Sequence, residues 1–236
     1  MKRASRTSGF TLLELVVVVA ILTILAGVAL PVAGKAWTSA ARRATRERLT
    51  ELARASLEFV RDVGRNPADV EELLVRPDDA AGWLGPYVAI EAVDPAGGHP
   101  AALDAWSRPI RIVPDADDAS RFVLASPGAD GVANDDDLAV AVDTTPVRRE
   151  RTLRALDLAN DALARWRGAH LGEALDRDWP RARARLVLDG YLSPGSDTVR
   201  DAWGQEFAPE SAASASTNAA WELVSPALLA RARAQR

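Results

Sequence analysis

The chain has 236 residues, 48% of them hydrophobic and 26% charged, a globular composition long enough for one large domain or two small ones. Its 29 basic and 33 acidic residues leave a net charge of −4, which excludes the concentrated basic excess of a protein whose main partner is a nucleic acid. Cysteine is absent, so disulfides, thiolate metal sites and cysteine nucleophiles are excluded; His99 and His170 stand far apart without an acid/base motif and read as surface-loop residues.

Residues 1–9, MKRASRTSG, carry Lys2, Arg3 and Arg6, and the chain then turns apolar with Glu14 as its one charge before Lys35. The uncharged run over 15–34 makes a helix about 30 Å long, the thickness of a hydrocarbon core. We therefore expect a transmembrane helix over 10–34, with the basic 1–9 leader in the cytoplasm and everything after Lys35 on the outer side. A secretory signal peptide cut near residues 31–33, or a plain anchor, would have no use for Glu14, because a carboxylate at that depth costs a few kcal/mol to desolvate. Its natural partner is the α-amino group released by cutting the chain just before Phe10.

The run Gly9-Phe10-Thr11-Leu12-Leu13-Glu14-Leu15 resembles the processing motif of type IV prepilins and type II secretion pseudopilins. The resemblance implies cleavage after Gly9 by a prepilin peptidase and N-methylation of Phe10. It also implies pairing of Glu14 with the N-terminal amine of a neighbouring subunit during fibre assembly. Pro31 falls where that family carries a helix-distorting proline.

Beyond the membrane segment, Leu49, Leu52, Phe59, Val60 and Val63 recur at helical spacing among Arg48, Glu51, Arg54, Glu58 and Arg61. With no strong breaker between Pro31 and Gly64, the pattern predicts one helix from Phe10 to about Val63. A short helix over 68–74 should follow, then strands at 88–92, 110–113 and 121–125 between turn residues. The expected fold class is α+β, a long helix packed on a small antiparallel sheet.

Local motifs in this stretch resemble the major pseudopilin of type II secretion systems. They are Gly64 to Pro67, Trp83-Leu84-Gly85-Pro86-Tyr87, Asp104-Ala105-Trp106-Ser107-Arg108-Pro109, and Phe122 to Gly131 with the acidic cluster after it. Ala105 and Ser107 stand where that family has proline and glycine, which puts the turn at Trp106 in question. The 126–138 loop gathers Asp130, Asp135, Asp136 and Asp137 without a basic residue between Arg121 and Arg148. The resemblance implies calcium there, with Asp130, Asp136 and Asp137 as carboxylate ligands and Ser126 and the carbonyls of Leu124 and Val132 completing the shell. Asp115, Asp117 and Asp118 lack the glycine and glutamate of a helix-loop-helix calcium loop and read as a solvated acidic turn.

The remaining third repeats the order of the soluble part. Arg149-Glu150-Arg151 with Leu153, Leu156, Leu163 and Trp166 echoes Arg46-Glu47-Arg48 with Leu49, Leu52 and Phe59, the apolar positions at an offset of 104 residues; Asp201-Ala202-Trp203 echoes Asp104-Ala105-Trp106 at 97; and 221–226 echoes 122–127 at 99. Trp83, Trp106, Trp203 and Trp221 then read as aromatic core anchors. The expected organisation is a leader at 1–9, a membrane helix at 10–34, a pseudopilin-like domain at 35–143, a linker at 144–148, and a second pilin-like lobe at 149–236 without a metal loop.

No nucleophile elbow, phosphate-binding glycine loop, zinc spacing or histidine–carboxylate pair is present in the sequence, so an enzyme is not expected. The favoured function is a pseudopilin-like structural subunit in the bacterial inner membrane, with its lobes in the periplasm. Its expected partners are the prepilin peptidase, other pilin or pseudopilin subunits, the inner-membrane assembly platform and membrane lipid. The alternatives are a single-span, two-lobed binding module or a minor or tip pilin outside the main fibre.

Overall fold

The structure is a computed structural model; it describes residues 12–89, 99–132, 134, 137–210 and 221–234, with the side chains of 26–33 outside the described set. Helix α1 (Leu12–Val63) runs unbroken for 52 residues, about 78 Å at the standard rise. The predicted long helix is therefore present from the first described residue to the predicted end. Side chains from Leu12 to Leu25 that are large and apolar lie exposed along it. Among the described residues no helix is long and apolar enough to cross a membrane. Part of the predicted 10–34 span falls outside those residues.

The second half of α1 buries Ala41, Thr45, Leu49, Leu52, Ala55, Ser56 and Phe59, a stripe three and four residues apart. Against it lies an antiparallel sheet in the order β1 (Arg111–Pro114), β2 (Arg121–Ser126), β3 (Leu138–Asp143). Phe122 and Leu124 of β2 and Leu138 and Val142 of β3 close the core with Leu49, Leu52 and Phe59. This confirms the α+β architecture, while two of the expected elements differ. The 68–74 stretch forms only a single 3-10 turn at Glu71–Leu73. Val88 is buried outside any strand, because Tyr87 and Val88 dock on the core as a loop; 90–92 lie outside the described residues.

Residues 144–148 are not a free linker. Strand β3 ends at Asp143, and α2 (Thr145–Ala169) starts two residues later, with Pro146 in its first turn where a missing N–H costs nothing. Thr144, Val147 and Arg148 are buried. There follow α3 (Trp179–Leu188), capped by Asp178 accepting from the Arg181 amide, a two-stranded antiparallel pair β4 (Ala208–Pro209) and β5 (Leu223–Val224), and α4 (Pro226–Ala234). A second core gathers Leu156, Leu163, Trp166, Trp179, Phe207 and Trp221 among its members.

One set of hydrogen bonds in the first half recurs in the second. In the first, the buried Asp104 carboxylate accepts from the Trp106 and Arg108 amides at 2.8 and 2.9 Å and from the Ser126 hydroxyl at 2.6 Å. In the second, buried Asp201 accepts from the Trp203 and Gln205 amides, both at 2.9 Å, and from the Ser225 hydroxyl at 2.7 Å. The Ala105 amide donates to Thr45 Oγ1 at 3.1 Å, and the Ala202 amide to Thr152 Oγ1 at 3.0 Å. Strand registers correspond as well: Arg111 faces Ala125 and Ala208 faces Val224.

The helical part of the repeat is offset differently from the sequence expectation. Thr45 and Thr152 are 107 residues apart, so Leu49 matches Leu156 and Phe59 matches Trp166. Leu153, which the 104-residue offset pairs with Leu49, is 42% exposed, whereas Leu49 is fully buried. A three-residue slip nearly preserves helical phase, so an arginine- and alanine-rich helix offers two similar alignments, and the tertiary bonds decide between them.

Candidate functional sites

Gly9 and Phe10, the predicted processing pair, lie outside the described residues. Glu14 stands near the first described residue of α1. The apolar side chains around it, Leu12, Leu13 and Leu15 to Val19, are exposed, so this end of α1 presents an apolar surface bearing one acid.

The acidic loop after β2 is organised by side chains folding back on the backbone. Asp130 accepts from the Val132 amide at 3.0 Å and from the Asn134 side-chain amide at 2.8 Å, and the Val132 N–H is the leading cause of a carboxyl pKa below its ordinary 3.8. Oδ1 of Asp137 is buried without a hydrogen-bond partner. A buried carboxylate oxygen in that state is costly unless a cation or water completes it. Asp136 lies outside the described residues; among those described, no three carboxylates or imidazoles converge as metal ligands.

The other predicted donors are placed less favourably. Leu124 lies in the central strand, opposite Ile112 on one side and Val140 on the other, inside the sheet ladder. The Ser126 hydroxyl is given to Asp104 and also accepts from the Gly128 amide at 3.3 Å. Val132 sits in the loop, largely exposed. Sequence reasoning missed Arg108, whose guanidinium donates to the Gly128 carbonyl; a Cβ on Gly131 would come within 2.8 Å of it. No spacing signal points from position 108 to a loop twenty residues later. The second module has Gln205 at that place and no acidic loop.

Neither histidine is a free surface residue. His170 stacks on Trp166 at 4.4 Å between ring centroids, and Nδ1 of His99 is buried without a partner. The acidic turn at 115–118 is likewise more than solvated: Asp118 pairs with Arg231 of α4 at 3.0 Å, which with the Ser120 amide lowers its pKa from 3.8 to about 2.

Comparison with known proteins supplies the context for these features. Residues 4–30 match the prokaryotic N-terminal methylation motif, which takes in the end of the predicted leader, the predicted cleavage point and Glu14. No solved structure matches the chain. It is 32% identical over 130 residues to the type II secretion system core protein G of Xanthomonas campestris pv. campestris, a match covering 52% of this chain and 80% of that relative. With the methylation motif at its start and a long helix packed on an antiparallel sheet behind it, the chain belongs to the pseudopilin family that includes core protein G.

Proposed function

We propose that the chain is a structural subunit of a type II secretion pseudopilus. It is held in the bacterial inner membrane with residues 1–9 in the cytoplasm and both soluble modules in the periplasm. Prepilin peptidase cuts after Gly9 and Phe10 is methylated; the assembly platform then packs α1 against the helices of other subunits. The methylation motif over 4–30, with Glu14 at the start of a 52-residue helix, carries this reading. Lateral packing of the exposed apolar residues supplies contact area, and the cost of a carboxylate at membrane depth makes Glu14 select the register that gives it a positive partner. Intact-mass analysis of membrane-extracted protein should show an N-methylated chain starting at Phe10; a start near Gly34 would refute processing of this kind.

The same reading includes one calcium ion in the 126–138 loop of the first module. The oxygen-only donor set and the orphaned Asp137 Oδ1 fit a hard cation, with Asp130, Asp136 and Asp137 as its carboxylates. Bound calcium would neutralise the acidic loop and hold it against the end of β2. Arg108 already supplies one positive charge to that loop, so Arg108→Gln should tighten binding several-fold. Calcium titration of the full chain should raise its melting temperature, since a ligand of the folded state alone stabilises it. No shift at millimolar calcium, or an unchanged shift in an Asp130→Asn, Asp137→Asn variant, removes the ion from the proposal.

A further inference from the structure

Between Glu14 and Glu47 the chain holds no acidic residue, and its basic residues there are Lys35, Arg42, Arg43 and Arg46, directly after the uncharged run over 15–34. At 3.6 residues per turn, Lys35, Ser39, Arg43 and Arg46 lie within about 80° of one another around α1 and form one stripe. The stripe is exposed, whereas Ala41, Thr45 and Leu49 of the same helix are buried. Farther along, Arg48 donates to the Pro100 and Leu103 carbonyls at 2.8 and 2.7 Å, and Arg54 pairs with Glu58 at 2.8 Å. Among the described residues no ion pair engages Lys35, Arg43 or Arg46.

The surroundings of the stripe suit a headgroup layer. An open groove of about 540 Å³ runs beside it, lined by Gly34, Lys35, Thr38, Ser39 and Arg42. Trp37, two residues beyond Lys35, is 69% exposed. Its amphipathic ring fills no core, and such rings settle at the headgroup level of a bilayer. Side chains of a helix lean towards its N-terminus, which for α1 is the side of the apolar run. Arg43 and Arg46, about 12 and 17 Å beyond Lys35 along the axis, therefore direct their long stems back towards it. The headgroup layer is about 5–8 Å deep on each face of a bilayer, so Lys35 stands at its inner edge and the arginines reach down to its outer edge.

We propose that Lys35, Arg43 and Arg46, with the Ser39 hydroxyl and the Trp37 ring, form a binding site for the headgroup phosphate of an anionic phospholipid in the outer leaflet of the inner membrane. This rests on the membrane-anchored subunit reading above and names the class of lipid that the subunit binds. A phosphodiester with no cation of its own offers the stripe a full negative charge. A zwitterionic lipid sets an ammonium beside its phosphate and cancels most of that attraction. Thr38 adds no donor, because its hydroxyl already donates to the Gly34 carbonyl at 3.0 Å.

The test mixes the full chain, purified from membranes in an uncharged detergent, with phosphatidylglycerol or phosphatidylcholine and counts the retained lipid by native mass spectrometry. About one phosphatidylglycerol is expected, held about tenfold or more tighter than phosphatidylcholine. A basic residue beside an anionic headgroup is worth about fivefold in affinity, so a Lys35→Gln, Arg43→Gln, Arg46→Gln variant should bind phosphatidylglycerol about 100-fold more weakly. The charge-keeping variant Lys35→Arg, Arg43→Lys, Arg46→Lys should bind as the parent does. Equal retention of both lipids by the parent, or undiminished retention in the glutamine variant, would overturn the proposal. So would displacement of the lipid by 10 mM inorganic phosphate, which would assign the stripe to a free anion. The unaltered stripe gives a second readout in phosphatidylglycerol vesicles, where the emission lost on Trp37→Phe should be quenched by lipid brominated near the headgroup; no quenching would also count against the site. A chain that starts at Phe10 and remains in the membrane yet shows no preference for phosphatidylglycerol rejects this inference alone. A chain never found in the membrane defeats the subunit reading with it.

Discussion

Ser107 adopts φ 62°, a left-handed conformation that costs a residue with a Cβ about 1–2 kcal/mol, and its counterpart in the second module is Gly204 at φ 83°. The turn is the same in both: the Ser107 amide bonds the Asp104 carbonyl at 3.0 Å, and the Gly204 amide bonds the Asp201 carbonyl at 2.9 Å. The absence of the family's glycine at 107 therefore leaves the turn intact and loads it with strain, because Asp104 fixes it from three directions. Ser107→Gly should stabilise the first module by about 1 kcal/mol, and Gly204→Ser should destabilise the second by a similar amount. A Cβ at Gly204 meets nothing within 4 Å, so backbone conformation alone decides the second effect. Thermal unfolding of the two variants checks both; the same sign for both would contradict the strain argument. The motif residues of this turn were legible from sequence, since Asp-Ala-Trp occurs twice. What the aspartates do was not, because their hydroxyl partners Ser126 and Ser225 lie 22 and 24 residues away, a separation only the hairpin closes.

At the scale of elements, the described residues of the second module hold no strand corresponding to β3, and α4 follows β5 directly. In the first module β3 runs along β2, setting Val140 opposite Leu124 and Val142 opposite Phe122. In the second, α2 supplies side chains instead. Asn160 receives the Leu223 amide at 2.8 Å and donates to the Leu223 carbonyl at 3.2 Å, while Arg167 donates to the Trp221 carbonyl. The first module has Ala53 and Val60 at these helix positions. One amide side chain thus takes both backbone groups that a third strand would have paired, and closes an edge open to strand addition. Asn160→Ala should cost about 1–3 kcal/mol by orphaning these groups, and should promote self-association through β5. A variant as stable and as monomeric as the parent would mean that water serves the edge equally well. The helix register offers a second check: Leu49→Ala should cost about 2–5 kcal/mol, and Leu153→Ala within about 0.5 kcal/mol of nothing. Equal losses would restore the 104-residue alignment. Sequence periodicity located α1, β1 and β2, whereas β3 was overlooked although 138–142 alternates in burial, because its small alanines weaken the apolar signal. Helix α3 was missed behind a run of arginines, although Asp178 and Pro180 mark its start.

Over the whole molecule, four residues of α2 do what their first-module counterparts cannot. Arg148 and Arg151, in place of Ala41 and Ala44, dock it on the end of α1, and Asn160 and Arg167, in place of Ala53 and Val60, finish its sheet. Asp118 with Arg231 ties the modules beside the bond from the Trp203 indole to Ser120, and the pH dependence of that ion pair follows from the carboxyl. Arg231 and the Ser120 amide hold Asp118 at about 2 against an ordinary 3.8. A carboxyl depressed by folding contributes its stabilisation above the unfolded value and loses it as pH falls through the folded one, so the tie should weaken between about pH 4 and pH 2. Asp143 is the nearby acid acting on the same turn; burial raises its pKa, but the bonds from Thr145 and the charge of Arg121 outweigh that and lower it, so its contribution must be separated by mutation. The Trp203 indole N–H, bonded to Ser120 Oγ beside Arg231, reports the junction directly. Its resonance in the full chain should shift over that window while the Trp179 indole, bonded to the Thr198 carbonyl inside the second module, holds its position. In Asp118→Asn the Trp203 shift should disappear, and in Asp143→Asn it should persist. A Trp203 resonance that follows Trp179 throughout would show the modules unfolding as one, with no separable junction between them.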